Sequence, residues 1–462
     1  MELLNVSDKK NVSNKGNVSD EKNVSDKGNV SVKINVSDKG NVSDKGNVSD
    51  KWSISDKEIA KGSNGTVIFE GSYGPQPARK AVVKRIVRAQ LNVGCEEYNM
   101  YMEADGINDI VRCYGMESDR RYVYLFLEPC ICSLKDLVQI YPPYALQNFQ
   151  SKSETRLISV KNVLGNRVTL WKENDYPSPL LLKLMRDVVS GLMNLHENKI
   201  VHLNLAPQNI LIAGKTPNLC AKLSDMAKSK KFTGDNSSSG HYASFVDSEQ
   251  LQFHDEAAKD LFLLGYILSF CIHGGRYPFP NPPERYNTNC SPPEAADLIS
   301  PLISKSANMR PKAIDVYRHP LFWNSDNKLS FLRDTSDMAE GNKEDQLSKE
   351  LKKLRGQVIG SSWDTKIDSK LISSIEDRGA RFYRKYNYNN FPHLLRLMRN
   401  YFHHYLELPK DIQELLGSKP EGYYEYFETR FPNLLIEVYK VVRKFCKEED
   451  AFQKYFHSNL AE

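Results

Sequence analysis

The most constraining feature is a pair of motifs near the middle of the chain. Residues 200–212 read Ile-Val-His-Leu-Asn-Leu-Ala-Pro-Gln-Asn-Ile-Leu-Ile, and residues 222–227 read Lys-Leu-Ser-Asp-Met-Ala. A glycine turn with Gly62 and Gly65, and a β-rich run carrying Lys84, precede them. Taken alone, the turn is compatible with an ordinary β-hairpin, and Lys84 is compatible with a solvated charge at the edge of a sheet. Glycines also let backbone amides approach phosphates, so the ordered set predicts a nucleotide-binding lobe.

This set resembles the protein kinases over residues 52–323, through His-x-x-Leu-x-x-x-Asn at 202–209 and a strand-end aspartate. The resemblance implies a bilobal α+β domain that binds ATP or ADP with Mg. Glu97 is expected on a helix beside Lys84, Glu128 to Cys130 as the hinge, and residues 146–176 as a loop. The nucleotide-binding positions are then Gly62, Gly65, Lys84, Glu97, Glu128, Cys130, Asn209 and Asp225, of which Asn209 and Asp225 hold the metal ion.

The catalytic loop departs from the kinase pattern. Where kinases have the aspartate that accepts the substrate proton, this chain has Asn204, whose amide cannot act as that base. The loop arginine is Leu203, the loop lysine is Ala206, and the glycine after the metal-binding aspartate is Ala227. The pattern predicts a pseudokinase that holds nucleotide and transfers phosphate poorly or not at all. A residual Ser/Thr protein kinase would require that Asn204 be tolerated.

The carboxy-terminal third is predicted to be all-helical. Residues 324–360 are expected to form helices against the kinase-like domain, and residues 361–457 show helical periodicity broken by prolines 392, 409, 420 and 432. At 100° per residue, Leu394, Leu395, Met398, Phe402 and Tyr405 share one arc, opposite Arg399, Asn400, His403 and His404. Surface arginine and histidine are common on helices, so an ordinary solvated face is the alternative to a site.

The same helix resembles the nuclease extension of the kinase/endoribonuclease family that contains the inositol-requiring enzyme of the unfolded-protein response and ribonuclease L. The matching segments are 394–400, 403–409 and 426–435. The resemblance implies a metal-independent endoribonuclease, needing no cofactor for RNA cleavage, that uses the RNA 2′-hydroxyl as nucleophile. Tyr386 is then the base, His404 the general acid, and Asn400 with Arg399 the phosphate holders. Without the resemblance, Tyr386 reads as an exposed aromatic residue in a basic loop.

The implied substrate is an RNA stem-loop, in mRNA splicing or decay of the unfolded-protein-response type. A basic run at residues 378–385 with interleaved aromatic residues suits such RNA. The implied partner is a second copy or a full-length relative, in a homodimer or heterodimer. A different hypothesis is a catalytically silent pseudokinase that modulates a full-length receptor.

Composition sets the remaining expectations. The net charge of +5 does not by itself demand nucleic acid, and no DNA partner is predicted. Eight scattered cysteines and the lack of a long apolar run predict a cytoplasmic protein without direct membrane insertion, or one held at the cytosolic face of the endoplasmic reticulum by a partner. Asn-Val-Ser recurs every six residues near the start, which predicts a disordered tail. The predicted domains are 1–51 (tail), 52–323 (kinase-like) and 324–462 (nuclease).

Overall fold

A computed structural model describes residues 51–62, 65–144, 155–232, 243–276, 291–341, 345–382 and 385–457, with the backbone alone at 155–156, 243–250 and 378–382. The hexapeptide repeats lie outside these residues, as do most side chains of the basic run at 378–385. Within them, no helix combines the length and the apolar character that a membrane crossing requires.

The first lobe is built on an antiparallel sheet of five strands in the order β1-β2-β3-β5-β4. Alternating apolar residues, such as Ala81 and Val83, are buried on one face. A helix, α1, packs against β5 and β4. The bounds are β1 Trp52–Lys61, β2 Val67–Tyr73, β3 Arg79–Val87, α1 Leu91–Glu103, β4 Cys113–Ser118 and β5 Tyr122–Leu127. The predicted strand, glycine turn and returning strand are therefore present.

The second lobe is mainly helical around a buried helix, α4, whose apolar residues recur every three to four positions. Its elements are β6 Cys132–Ser133, α2 Leu134–Ile140, α3 Thr155–Leu164, α4 Pro179–Glu197, β7 Ile200–Val201, β8 Ile210–Lys215, β9 Asn218–Leu223, β10 Lys230–Lys231, α5 Ala243–Ile272, α6 Pro293–Leu302 and α7 Ala313–Tyr317. The two lobes together confirm the bilobal α+β prediction.

The prediction of a loop over residues 146–176 is wrong in part. Residues 155–164 form α3, which buries Val160 and Leu164 against the core of the second lobe. Leu157, Val160 and Leu164 recur at intervals of three and four residues, which is the spacing of a helix face. The polar residues around them obscured this pattern in the sequence. Residues 145–154 lie outside the described part of the chain.

The carboxy-terminal region is all-helical, as predicted, and has its own core. Pro392 lies in the first turn of a helix, and prolines 409, 420 and 432 lie one or two residues before a helix start, where a missing N–H costs nothing. The helices are α8 Ser325–Gly341, α9 Gln346–Lys353, α10 Arg355–Val358, α11 Ser369–Phe382, α12 Phe391–His403, α13 Lys410–Leu416, α14 Glu421–Arg430, α15 Leu434–Phe445 and α16 Asp450–Phe456.

Aromatic contacts and hydrogen bonds join the second lobe to these helices. The Trp323 ring lies 5.2 Å from Phe331 and 5.9 Å from Tyr439, both edge-on. Arg318 donates hydrogen bonds of 2.9 Å to the carbonyl oxygens of Phe456 and His457. The helical region is therefore packed and hydrogen-bonded onto the kinase-like lobe rather than attached by a linker.

One buried histidine at this junction makes the fold sensitive to acid. His319 Nε2 lies 3.2 Å from Asp297 Oδ2, and burial lowers the pKa of His319 below its ordinary value of 6.5 despite that carboxylate. The unfolded chain therefore binds this proton more readily, so the stability contributed by His319 is present above pH 6.5 and is lost as the pH falls through its folded pKa.

We expect the thermal unfolding midpoint to fall as the pH is lowered from 7.5 to 5.5, with about 1.4 kcal/mol lost per unit of pKa depression. A His319→Gln variant should be less stable overall and show a shallower fall, because the titrating ring is gone. Circular dichroism melts at several pH values measure both curves. Parallel curves for the two proteins would contradict the assignment.

Candidate functional sites

The glycine turn joins β1 to β2 at one edge of the first lobe. Gly62 N–H donates to the Thr66 carbonyl at 2.8 Å, which closes the turn. Gly65 has φ of +76°, a left-handed conformation that glycine adopts without strain. The two residues between them lie outside the described chain. Gly65 therefore occupies a turn position that favours glycine, and its contact with a phosphate stays a prediction.

Lys84 lies on β3 and connects the two lobes. Its Nζ donates to both carboxylate oxygens of Glu97 at 2.8 Å and to Asp225 Oδ1 at 2.6 Å. Glu97 lies on α1 and is fully buried. The predicted contact between Lys84 and Glu97 is present, and Asp225 pairs with the same ammonium group.

Charge pairing outweighs desolvation in this cluster. Burial acts to lower the pKa of Lys84, but the Glu97 and Asp225 carboxylates raise it above its ordinary value. Burial likewise acts to raise the pKa of Asp225, but the Lys84 cation holds it below its ordinary value. Lys84 and Asp225 are therefore both ionised at neutral pH, and they hold the two lobes together at the cleft.

The former catalytic loop is anchored from beneath by Asp260, a fully buried carboxylate of α5. Its oxygens accept the backbone N–H groups of His202 and Leu203, each at 2.7 Å. Leu203 has φ of +58°, which these two bonds stabilise. The anchoring role of Asp260 carried no sequence signal.

At the tip of the loop, Asn204 Nδ2 donates to Asp225 Oδ2 at 2.6 Å. Asn209 Nδ2 in turn donates to the Asn204 carbonyl at 2.8 Å. The sequence predicted that Asn204 removes a base, but not that its amide binds Asp225. Ala206 and Ala227, which replace a lysine and a glycine, add no polar side-chain group to this network.

The predicted hinge connects β5 to β6. Glu128 Oε1 accepts the Arg112 backbone N–H at 2.8 Å and pairs with Lys222 Nζ at 2.7 Å. The Glu128 carboxylate is thus committed to protein partners, and so is its backbone N–H, which donates to the Arg112 carbonyl at 2.9 Å. Burial raises the pKa of the neighbouring Cys130 thiol to about 12, so that side chain is neutral and apolar.

The second candidate site lies at the carboxy-terminal end of α12. Asn400 Nδ2 donates to the Tyr386 hydroxyl at 3.1 Å, and Arg399 donates to Asn400 Oδ1 through Nε at 3.3 Å and Nη2 at 3.1 Å. Three of the four predicted nuclease residues therefore form one hydrogen-bonded chain. The Arg396 guanidinium lies 4.6 Å from the centre of the Tyr386 ring and fixes its position.

The two arginines of α12 are tied to acidic residues of α8. Arg399 Nη1 donates to Asp337 at 2.7 Å and Nη2 to Glu340 at 2.6 Å, and Arg396 Nη1 lies 3.5 Å from Glu340. The Arg399 side chain is only 12% exposed. It is therefore more buried than its place on the predicted polar arc of the helix indicated. Asp337 and Glu340 lie three residues apart on one face of α8, and no sequence motif identifies them as partners of these arginines.

His404, the fourth residue, caps α12, because the helix ends at His403. Its backbone N–H donates to the Asn400 carbonyl at 3.0 Å. Its Nδ1 lies 2.9 Å from Glu407 Oε1 in an exposed pair. Tyr405, predicted on the helix, lies instead in the 3₁₀ turn Tyr405–Glu407. Residues Leu397 and Tyr401, outside the predicted apolar arc, are also buried.

Comparison with known families and proteins divides the chain at the same junction. A protein kinase domain family matches residues 54–322, and the ribonuclease 2-5A family matches residues 328–456. Serine/threonine-protein kinase/endoribonuclease IRE1b of Arabidopsis thaliana is 44% identical over 86% of this chain and 47% of its own length. The Schizosaccharomyces pombe sensor for unfolded proteins in the ER, ire1, is 29% identical over 86% and 38%.

A shorter plant relative is matched over most of its length. The inactive serine/threonine-protein kinase/endoribonuclease IRE1-like of Arabidopsis thaliana is 35% identical over 87% of this chain and 77% of its own length. The chain spans about half the length of IRE1b and less of the yeast sensor. The matched portion in each case is long enough to include both regions described above.

Proposed function

The chain belongs to the IRE1-type family of kinase/endoribonucleases, and we propose that its carboxy-terminal helical domain cuts RNA stem-loops without a metal ion. Nucleotide binding and dimerisation of the kinase-like domain regulate the cut. The observation that carries the proposal is the hydrogen-bonded chain from Arg399 through Asn400 to Tyr386, with His404 one helical turn beyond Asn400.

The chain supplies each group that transesterification of RNA requires. Tyr386, acting as the phenolate, takes the proton of the RNA 2′-hydroxyl as O2′ attacks phosphorus and so becomes the neutral phenol. His404 gives a proton to the departing 5′-oxygen, so the products are a 2′,3′-cyclic phosphate and a 5′-hydroxyl. Arg399 and Asn400 donate hydrogen bonds to the phosphate oxygens as negative charge gathers there.

Regulation by the kinase-like domain is supported by the junction between the domains. Lys440 of α15 lies 3.5 Å from Asp297 of α6, and Trp323 contacts aromatic rings of the helical domain. A change in the kinase-like lobe, or its pairing with a second copy or a full-length relative, would therefore move the helical domain as a packed unit. We place this activity in mRNA splicing or decay of the unfolded-protein-response type, in the cytoplasm or at the endoplasmic reticulum through a partner.

The test is cleavage of a short RNA stem-loop by the purified full chain in EDTA, with and without ADP. We expect cleavage to persist in the chelator, to rise with protein concentration as dimers form, and to leave cyclic-phosphate ends. If no cleavage occurs at concentrations that force dimerisation, the nuclease proposal fails.

The second candidate is a catalytically silent partner of a full-length receptor. The relative named as inactive, together with Asn204 at the position of the kinase base, favours it. Failure of cleavage in the test above, combined with co-sedimentation with an IRE1-type receptor, would support this candidate. A residual Ser/Thr kinase is tested separately with labelled ATP, and we expect no incorporation of label.

Replacing Arg399 with lysine should lower cleavage by about 100-fold, because a single ammonium cannot reproduce the planar fork that reaches Asn400 and the phosphate. The initial cleavage rate at saturating RNA measures this. The matched control is Arg430→Lys, since Arg430 also pairs with a carboxylate, Asp368 at 2.6 Å, but belongs to α14. Equal losses in the two variants would indicate a general structural effect of losing a paired guanidinium and contradict the phosphate role of Arg399.

A further inference from the structure

Asp225, the residue expected to hold Mg²⁺, is bound by protein donors on both carboxylate oxygens. Lys84 Nζ donates to Oδ1 and Asn204 Nδ2 donates to Oδ2, each at 2.6 Å. Its backbone N–H donates to the buried Tyr101 hydroxyl at 3.0 Å, and its φ of +63° is held by the surrounding network. The carboxylate is therefore fixed in position by the chain itself.

The contact from Asn204 depends on the amide. An aspartate at position 204 would bring a second carboxylate to hydrogen-bond distance of Asp225, and two such groups stay ionised together only with a cation between them. Asparagine removes one negative charge and supplies a donor in its place. An ionised aspartate at 204 would therefore add one negative charge to the cluster of Lys84, Glu97 and Asp225.

The donor set does not fit a resident Mg²⁺ ion. Magnesium demands oxygen ligands in near-octahedral geometry, and its protein sites rely on carboxylates. Asp225 presents both oxygens to N–H donors, and the Asn209 amide donates to the Asn204 carbonyl.

We infer that the Asn204 amide stands in for the divalent cation at Asp225, so that the kinase-like cleft binds an adenine nucleotide without Mg²⁺. This inference rests on the nucleotide binding included in the proposed function. It replaces the expectation that Asn209 and Asp225 bind Mg²⁺ with the nucleotide. The regulatory ligand would then be the free nucleotide rather than its magnesium complex.

The experiment uses the full chain and ADP, and it reads the thermal unfolding midpoint in EDTA and in Mg²⁺. For the natural sequence, we expect ADP to raise the midpoint equally in both conditions. For Asn204→Asp, which has nearly the same shape, we expect the ADP affinity to be at least about tenfold weaker in EDTA than in Mg²⁺. Asn204→Ala removes the amide donor but adds no charge, so its dependence on the metal should be smaller than that of Asn204→Asp, which separates the added charge from the loss of the amide.

A direct metal titration provides a second readout. We expect the natural sequence with ADP to bind no Mn²⁺ beyond that bound by ADP alone in an electron paramagnetic resonance titration, and Asn204→Asp to bind one more. A midpoint shift that requires Mg²⁺ in the natural sequence, or an Asn204→Asp variant that stays independent of metal, would overturn the inference and leave the nuclease proposal standing. Absence of any ADP shift in either condition would overturn both the inference and the nucleotide control in the proposed function.

Discussion

Replacing His404 with alanine should reduce stem-loop cleavage by about 10²–10⁴-fold while leaving RNA binding nearly unchanged. The loss follows from chemistry rather than from structure, because the side chain is 58% exposed and the cap of α12 is made by the backbone N–H of His404, not by its ring. A carboxylate only accepts hydrogen bonds, so the Glu407 contact places a proton on Nδ1 and leaves Nε2 facing away from it. Once the ring is protonated, Nε2 is the group that can protonate the leaving oxygen.

The adjacent residue offers a matched control. His403 is also an exposed imidazole, and it is the last residue of α12. His403→Ala should therefore keep near-natural cleavage, while sharing any effect of a lost ring on the helix end. Initial rates in EDTA at saturating RNA, with affinity measured separately by fluorescence anisotropy, distinguish catalysis from binding. Equal losses in both variants, or full activity in His404→Ala, would contradict the role of His404 as the general acid.

Motifs with local spacing allowed the sequence to predict much of the fold. The glycine turn, the lysine strand and the proline-bounded helices each follow from residues close in the chain, where turn chemistry and helical periodicity act. Lys84 and Glu97 are only thirteen residues apart, on a strand and the helix that follows it, so their pairing could also be predicted. The all-helical class followed from these elements, whereas the kinase-like class followed from the resemblance of residues 202–209 and Asp225 to the protein kinases.

The partners of the site residues could not be predicted, because they come from distant elements. Asp337 and Glu340 lie about sixty residues before Arg399, on a helix that reads as an ordinary solvated charged surface. Only the packing of α8 against α12 brings those carboxylates to the Arg399 guanidinium. Asn204 and Asp225 likewise meet across 21 residues, so their hydrogen bond depends on the tertiary fold of the loop.

Replacing Trp323 with alanine should destabilise the junction between the domains by about 3–5 kcal/mol. The indole is 5% exposed, contacts Phe331 and Tyr439, and donates from Nε1 to the Arg318 carbonyl at 2.9 Å. A Trp323→Phe variant keeps most of the ring area and loses that hydrogen bond, so about 1 kcal/mol of destabilisation is expected from it. Val163→Ala, at a side chain 72% exposed, should have almost no effect.

The form of the melting curve tests the junction more sharply than its midpoint. The Trp323 ring belongs to the core of the helical domain but follows directly from the last residues of the kinase-like lobe. If it couples the two, calorimetry of Trp323→Ala should show two separated transitions where the natural sequence shows one, and ADP should shift only the first. Cleavage by the variant should then no longer respond to ADP. A single transition that moves to lower temperature, with the ADP response of cleavage retained, would show that Trp323 stabilises the helical domain without transmitting the state of the nucleotide cleft.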